Sequence, residues 1–148
     1  MAFISVTRLK IKSLVHLPLF LWQNEACAKA LVQTPGFLGG KELIDKHLTF
    51  WTMTVWQDVP SMKTFRSSAA HRKAMQKLPG WCSEATYVHW EQDSPALAEW
   101  SAAHVKMVQE GVVSKVRHPS ARHLSKDFPA PAWSRTERLF RPVLPLPT

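Results

Sequence analysis

His71 is the side chain in this sequence best placed to do chemistry. It stands in the run Ala70-His71-Arg72-Lys73-Ala74-Met75, just after the serine pair Ser67-Ser68. Imidazole changes charge near neutrality, so in an apolar setting it can take a proton, orient a phenolic group or ligate a heme iron. On a helix, His71, Met75 and Leu78 fall on one face. The competing reading is a helix-start histidine hydrogen-bonded into a packed core. Trp51, Trp56 and Trp90, with Met75, are candidate walls of a flat substrate cavity around it, though core packing would explain them as well. Arg66, Arg72 and Lys73 flank His71 and could draw an anionic ligand to a cavity mouth; as exposed helix cations they would do nothing specific.

The other histidines carry less. His89 lies between Tyr87 and Trp90 in a strand pattern and reads as structural. His104 sits on a helix flank, at a surface or an interface. His118 and His123 belong to the C-terminal stretch, where a metal role has no supporting carboxylate or cysteine beside it. No nucleophile elbow, phosphate loop, HExxH or paired cysteines occur, and Asp and Glu are few and scattered, which argues against a two-carboxylate hydrolase. Cys27 and Cys82 fit no metal spacing and read as free buried thiols in a reducing compartment.

The elements that would position His71 run from His47 to Glu91. Residues 48–57 alternate β-branched and aromatic types; Asp58 and Pro60 open a helical pattern; after Pro79-Gly80 a second alternating run covers 85–90. Within the helical stretch Met62, Phe65 and Ala69 keep one phase and His71, Met75 and Leu78 another. The shift predicts a break near Ser67-Ser68, with a serine recapping the second segment. Upstream, residues 3–14 alternate as a strand, 18–32 read as a helix with proline near its start, and 37–44 as a strand whose Gly39-Gly40 marks a bulge or a close approach. Downstream, 96–110 carries an apolar helical stripe closed by Gly111. The expected architecture is α+β: a ferredoxin-like split βαβ with a four-stranded antiparallel sheet, an extra C-terminal helix and an extended tail. The strand at 48–57 is bulky on both faces. Helices would cover one face, and a second copy of the chain is the economical cover for the other, so a homodimer is expected.

At 148 residues with 45% hydrophobic and 20% charged content, one globular domain is expected. We place it at 1–111, with a Pro-rich basic extension at 112–148. Six prolines fall in that extension: Pro119, Pro129, Pro131, Pro142, Pro145 and Pro147. The net charge of +8 is uneven: twelve cations meet nine carboxylates in residues 1–110, and seven meet two in 111–148. The basic extension reads as solvated, and nucleic acid is not the expected partner. The apolar run 14–22 is short and holds His16 and Pro18, which argues against a signal peptide, and no run approaches the ~20 residues of a membrane span. A cytoplasmic setting is expected.

The runs Phe50-Trp51-Thr52-Met53-Thr54-Val55-Trp56, Met62-Lys63-Thr64-Phe65 and Ala70-His71-Arg72-Lys73-Ala74-Met75, with Pro35-Gly36-Phe37-Leu38-Gly39-Gly40 upstream, resemble the dimeric α/β-barrel superfamily. The match covers roughly residues 3–92 and is similar to antibiotic-biosynthesis monooxygenases and to spheroidene-monooxygenase-like proteins. The resemblance implies a monooxygenase-like protein acting on a bulky hydrophobic or aromatic small molecule, in a pocket between sheet and helices. It also implies either no cofactor or heme, and a pocket role for His71, as orienting base or as iron ligand. The full polar set of the cofactor-free oxygenases is not matched. The alternative is a non-catalytic dimer that binds a small molecule or heme, or an interaction module with a basic tail.

Overall fold

The computed structural model describes residues 1–132 and 137–143; Pro145 and Pro147 lie outside the described residues. In chain order the elements are β1 (Ala2–Ile11), a 3-10 turn (Leu14–His16), α1 (Leu17–Val32), β2 (Phe37–Ile44), β3 (Thr49–Trp56), α2 (Val59–Arg66), α3 (Ala69–Trp81), β4 (Cys82–Gln92), α4 (Trp100–Glu110), β5 (Val112–Val113), α5 (Ala121–Ser125) and β6 (Glu137–Phe140).

Local chemistry explains the joints. The Asp58 carboxylate accepts from the Ser61 N–H (2.9 Å) and caps α2, with Pro60 in its first turn. The expected helix break falls at Ser67-Ser68, and the Ser68 hydroxyl accepts from the His71 N–H (3.3 Å) to restart the chain as α3. Gly36 turns at φ +88°, where a Cβ would lie 2.1 Å from Ser61 Oγ. At Gly40 a Cβ would come within 2.6 Å of the Met53 carbonyl oxygen, and the register slips between Phe37 and Gly39, so the glycine pair serves both a bulge and a close approach. The Pro79-Gly80 breaker acts later than expected: α3 runs through it to Trp81, and β4 begins at once with Cys82.

The sheet order is β5-β4-β1-β3-β2-β6, every pairing antiparallel. The four central strands make the ferredoxin-like unit. The sheet has six strands rather than the expected four, because residues after Gly111 supply β5 and β6, which pair along the outer edges of β4 and β2.

The two faces are covered unequally. Helices α1, α2 and α3 lie over the face carrying Phe3, Ile11, Phe50 and Trp56. The other face, built from Ile4, Val6, Trp51, Met53, Val55 and Val88, is buried beneath Ala103 and Met107 of α4, Phe128, and the flanking Leu97 and Trp100. His104 Nε2 donates to the Phe128 carbonyl (2.6 Å), which fastens the later chain over α4. The chain thus covers both faces itself, and the expectation that a second copy must cover one of them loses its physical basis. A barrel closed through this face would have to displace α4.

Also on this face, the Arg8 guanidinium donates to Glu84 (2.9 Å) across β1 and β4, with both side chains buried. The pattern in which β1 turns basic toward its end thus includes a paired core residue. Removing one partner strands the other charge. Glu84→Ala should therefore lower the free energy of unfolding by about 3–5 kcal/mol, whereas Arg8→Met with Glu84→Leu should recover most of it in urea melts.

Among the described residues, no helix is long and apolar enough to cross a membrane.

Candidate functional site

Between the sheet and helices α1–α3 lies a cavity of about 540 Å³. Its floor follows from strand register. Ser5 of β1 sits opposite Thr54 of β3 and His89 of β4, and Thr7 sits opposite Thr52 and Tyr87. These two polar rows cross the middle of the sheet. They are framed by apolar rows, Phe3 with Trp56 at one end and Leu9 with Phe50 and Ala85 at the other. The roof is largely apolar: Phe20 on α1, Met62 and Phe65 on α2, Met75 and Leu78 on α3, and Trp81 at the end of α3. Such a shape would seat a bulky apolar ligand with a few hydroxyls to orient it.

His71 lines this cavity, as do Met75 and Leu78 on the same helix face; Met75 is 46% exposed at the rim. The His71 ring meets Phe65 edge-on at 5.0 Å. Its Nδ1 lies 3.1 Å from the Arg66 carbonyl oxygen. A carbonyl only accepts, so Nδ1 carries the proton and Nε2 keeps its lone pair. Burial pushes the His71 pKa down, the Arg66 charge adds to this, and the bond to the Arg66 carbonyl opposes it. The imidazole is thus a neutral acceptor at neutral pH, with the tautomer fixed by the backbone. His89, which the sequence suggests is structural, also lines the cavity, and burial, with Arg66, lowers its pKa too.

The tryptophans divide differently from expectation. Trp51 is fully buried on the opposite face, against Trp100 and His104, and cannot touch a ligand beside His71. Trp90 also belongs to the α4 side, where its indole donates to Gln92 Oε1 (3.2 Å). Trp56 is on the helix side but one layer behind the cavity wall: its ring stacks on Phe65, and its N–H donates to Thr54 Oγ1 (2.9 Å). It positions two lining residues rather than lining the cavity. Among the described residues, the tryptophan that does reach the cavity is Trp81. Of the flanking cations, Arg66 lines the cavity, while Arg72 and Lys73 are exposed and lie outside its lining.

The α1 end of the cavity holds a polar group that the sequence pattern does not reveal. The Asn24 amide donates to both Glu42 oxygens (3.1 Å each), and Thr52 Oγ1 donates to Glu42 Oε2 (3.2 Å). Asn24 and Thr52 line the cavity, and Glu42 stands behind them. Burial raises the Glu42 pKa against the pull of these two donors. Gln23, also lining, donates to the Ala70 carbonyl (2.9 Å) and ties α1 to the start of α3 beside His71. The Cys27 thiol lines the same end, with burial pushing its pKa up to about 11, so it is no nucleophile at neutral pH. His123 is spent structurally, since its Nδ1 accepts from the Ala85 N–H (3.4 Å). Among the described residues no three His, Cys, Asp or Glu side chains gather as a metal site.

The lowered histidine pKa values carry a pH consequence. An unfolded histidine titrates at about 6.5, above the folded value, so below that pH the unfolded chain binds more protons. Stability present at neutral pH is therefore lost as pH falls through 6.5 toward the folded value. The urea midpoint should drop between about pH 7.5 and pH 5, and it should drop less in His71→Gln.

No protein-family model matches the chain, and no curated protein matches it in sequence. Solved structures do share its fold. SnoaB, a cofactor-independent oxygenase from Streptomyces nogalater, superposes with TM-score 0.53 at 16% identity, covering 66% of this chain and 98% of that one. An antibiotic biosynthesis monooxygenase superposes with TM-score 0.55 at 12% identity, over 62% and 99%. A conserved protein from Methanosarcina mazei Go1 gives 0.56 at 10% identity, over 63% and 94%. At such identities the likeness is one of fold.

Proposed function

We propose, from the ferredoxin-like fold that this chain shares with antibiotic biosynthesis monooxygenases, that it oxygenates a bulky aromatic or otherwise hydrophobic small molecule held in the cavity beside His71. One observation carries the reading: a neutral imidazole with a backbone-fixed tautomer borders an apolar cavity of drug-like size. In the proposed step a phenolic substrate with an acidic methylene gives a proton to Nε2 of His71. The resulting carbanion reduces dioxygen and forms a C–O bond; loss of water then leaves a ketone, so the CH2 and O2 become C=O and H2O. The largely apolar roof would limit the access of bulk water to the intermediate. The hydroxyls of Ser5, Thr7 and Thr52, with Asn24, would orient the substrate's oxygens.

Dithranol, a tricyclic phenol, is a direct probe. We expect oxygen uptake catalysed by the protein and a product heavier by one oxygen and lighter by two hydrogens. Saturable binding without uptake would instead support a non-catalytic carrier. A second reading, heme binding, is favoured by the same Nδ1 bond, because it leaves the Nε2 lone pair available to a metal. His71 would hold the iron, the cavity-lining cations Arg66 and Lys115 would offset the group's carboxylates, and heme would supply dioxygen activation. A Soret shift on adding hemin, lost in His71→Ala, would favour it. The homodimer expected from the sequence would have to form elsewhere than the α4-covered face, and light scattering on the full chain tests it.

A further inference from the structure

A second recess, of about 410 Å³, opens beside the end of α3, and its chemistry is the reverse of the cavity's. It is lined by Lys12, Lys77 and Arg117, with His16, His118 and Gln76, and no carboxylate lines it. Three separate segments are stitched together there by the backbone. The Lys12 N–H donates to the Trp81 carbonyl (2.9 Å) and the Arg117 N–H to the Pro79 carbonyl (2.9 Å). The Arg117 guanidinium lies over Gly80, where Nη1 would be 3.7 Å from an added Cβ. Among the described residues Lys12, Lys77 and Arg117 take part in no salt bridge.

A structural explanation would be that these cations balance the α3 dipole. A helix C-terminus carries only about half a negative charge. Two of its last carbonyls already accept backbone N–H groups. Three full positive charges with no carboxylate in the lining exceed what that end requires, and an anion among them would find charge-assisted donors. The recess and the cavity share a wall. Trp81 lines both, and the segment carrying Ser114 and Lys115 in the cavity lining continues to Arg117 and His118 in the recess.

We infer that the recess of Lys12, Lys77 and Arg117 holds the anionic head, a phosphate or carboxylate, of the same molecule whose apolar body fills the cavity. This rests on the cavity being a ligand site and narrows the substrate class to amphipathic anions.

Calorimetry on the full chain at low ionic strength separates the possibilities, with geraniol, geranic acid, geranyl diphosphate and inorganic pyrophosphate as probes. Geranyl diphosphate or geranic acid should bind roughly 10-fold or more tightly than geraniol, and whichever does so identifies the head. Lys77→Gln with Arg117→Gln should erase that preference and leave geraniol binding unchanged. These side chains are exposed, so the fold is not at risk. Arg72→Gln with Lys73→Gln removes the same charge elsewhere on the surface and should keep the preference. Equal binding of neutral and anionic probes, or equal loss in both double variants, would overturn the inference while geraniol binding upheld the cavity. Pyrophosphate binding that needs Lys77 and Arg117, with no preference of the geranyl anions over geraniol, would overturn the shared ligand but leave an anion site. If none of the four probes binds, the inference falls; if dithranol fails to bind as well, the cavity reading falls with it.

Discussion

Replacing His71 with alanine should lower oxygen uptake on dithranol by ~10²–10⁴-fold, the usual loss when a positioned acid–base group is removed. The fold should survive. The Ser68 cap uses the His71 backbone N–H, which alanine keeps. The lost bond from Nδ1 to the Arg66 carbonyl is a single hydrogen bond, worth about 1 kcal/mol. His71→Gln sharpens the test, because its amide can still donate but cannot accept a proton at neutral pH. If the role is chemical, glutamine should be nearly as inactive as alanine; if it is only to hold α2 against α3, glutamine should restore activity. In the wild type the rate should fall on the acid side with an inflection below about 6.5, the ordinary histidine value, because burial lowers the His71 pKa.

Ending the chain at Gln92 should abolish the folded monomer. That deletion uncovers Ile4, Val6, Trp51, Met53, Val55 and Val88, all buried beneath α4 and Phe128 in the full chain. At about 1.5–3 kcal/mol per large apolar side chain, re-exposing six costs roughly 9–18 kcal/mol. A whole domain typically has only about 5–15 kcal/mol of stability. Sedimentation should find the fragment aggregated or self-associated through this face. A soluble, cooperatively folding monomeric fragment would show that α4 is dispensable and the face less dependent on cover than its burial implies. Met107→Asp, which places a charge at the centre of the α4 contact, should destabilise the full chain in the same direction.

Much of this arrangement is legible in the sequence because it is written in local chemistry. The helix break shows as a phase change between Phe65 and His71, and Ser68 caps it as its side chain allows. His71, Met75 and Leu78 share a face by helical spacing alone, and all three reach the cavity. The tryptophans are instructive in the other direction. Trp51 and Trp56 are five residues apart in one strand, an odd number, so the pleat must send them to opposite faces. Placing both around one ligand conflicts with that parity, and the structure puts Trp51 under α4. The polar floor is also written in parity, in the spacing of Ser5 and Thr7, Thr52 and Thr54, and Tyr87 and His89. It becomes visible only once the registers Ser5–Thr54 and Ser5–His89 align the strands, and register is a tertiary property. The cover supplied by α4 is hidden for a similar reason. An amphipathic helix shows that it buries a stripe, not which sheet face receives it, so a twin chain and the chain's own helix satisfy the same pattern. Glu42 looks like one carboxylate among scattered ones until β2 places it beside Thr52 and α1 brings Asn24 over it.

The proposed chemistry turns on the state of one imidazole, and ¹⁵N NMR of the His71 ring reads it directly. At neutral pH the ring should be the neutral Nδ1–H tautomer, with Nε2 unprotonated, and the Nε2 resonance should move when dithranol enters the cavity. A ring carrying its proton on Nε2, or a resonance indifferent to saturating ligand, would contradict the proposal that His71 is the base facing a substrate.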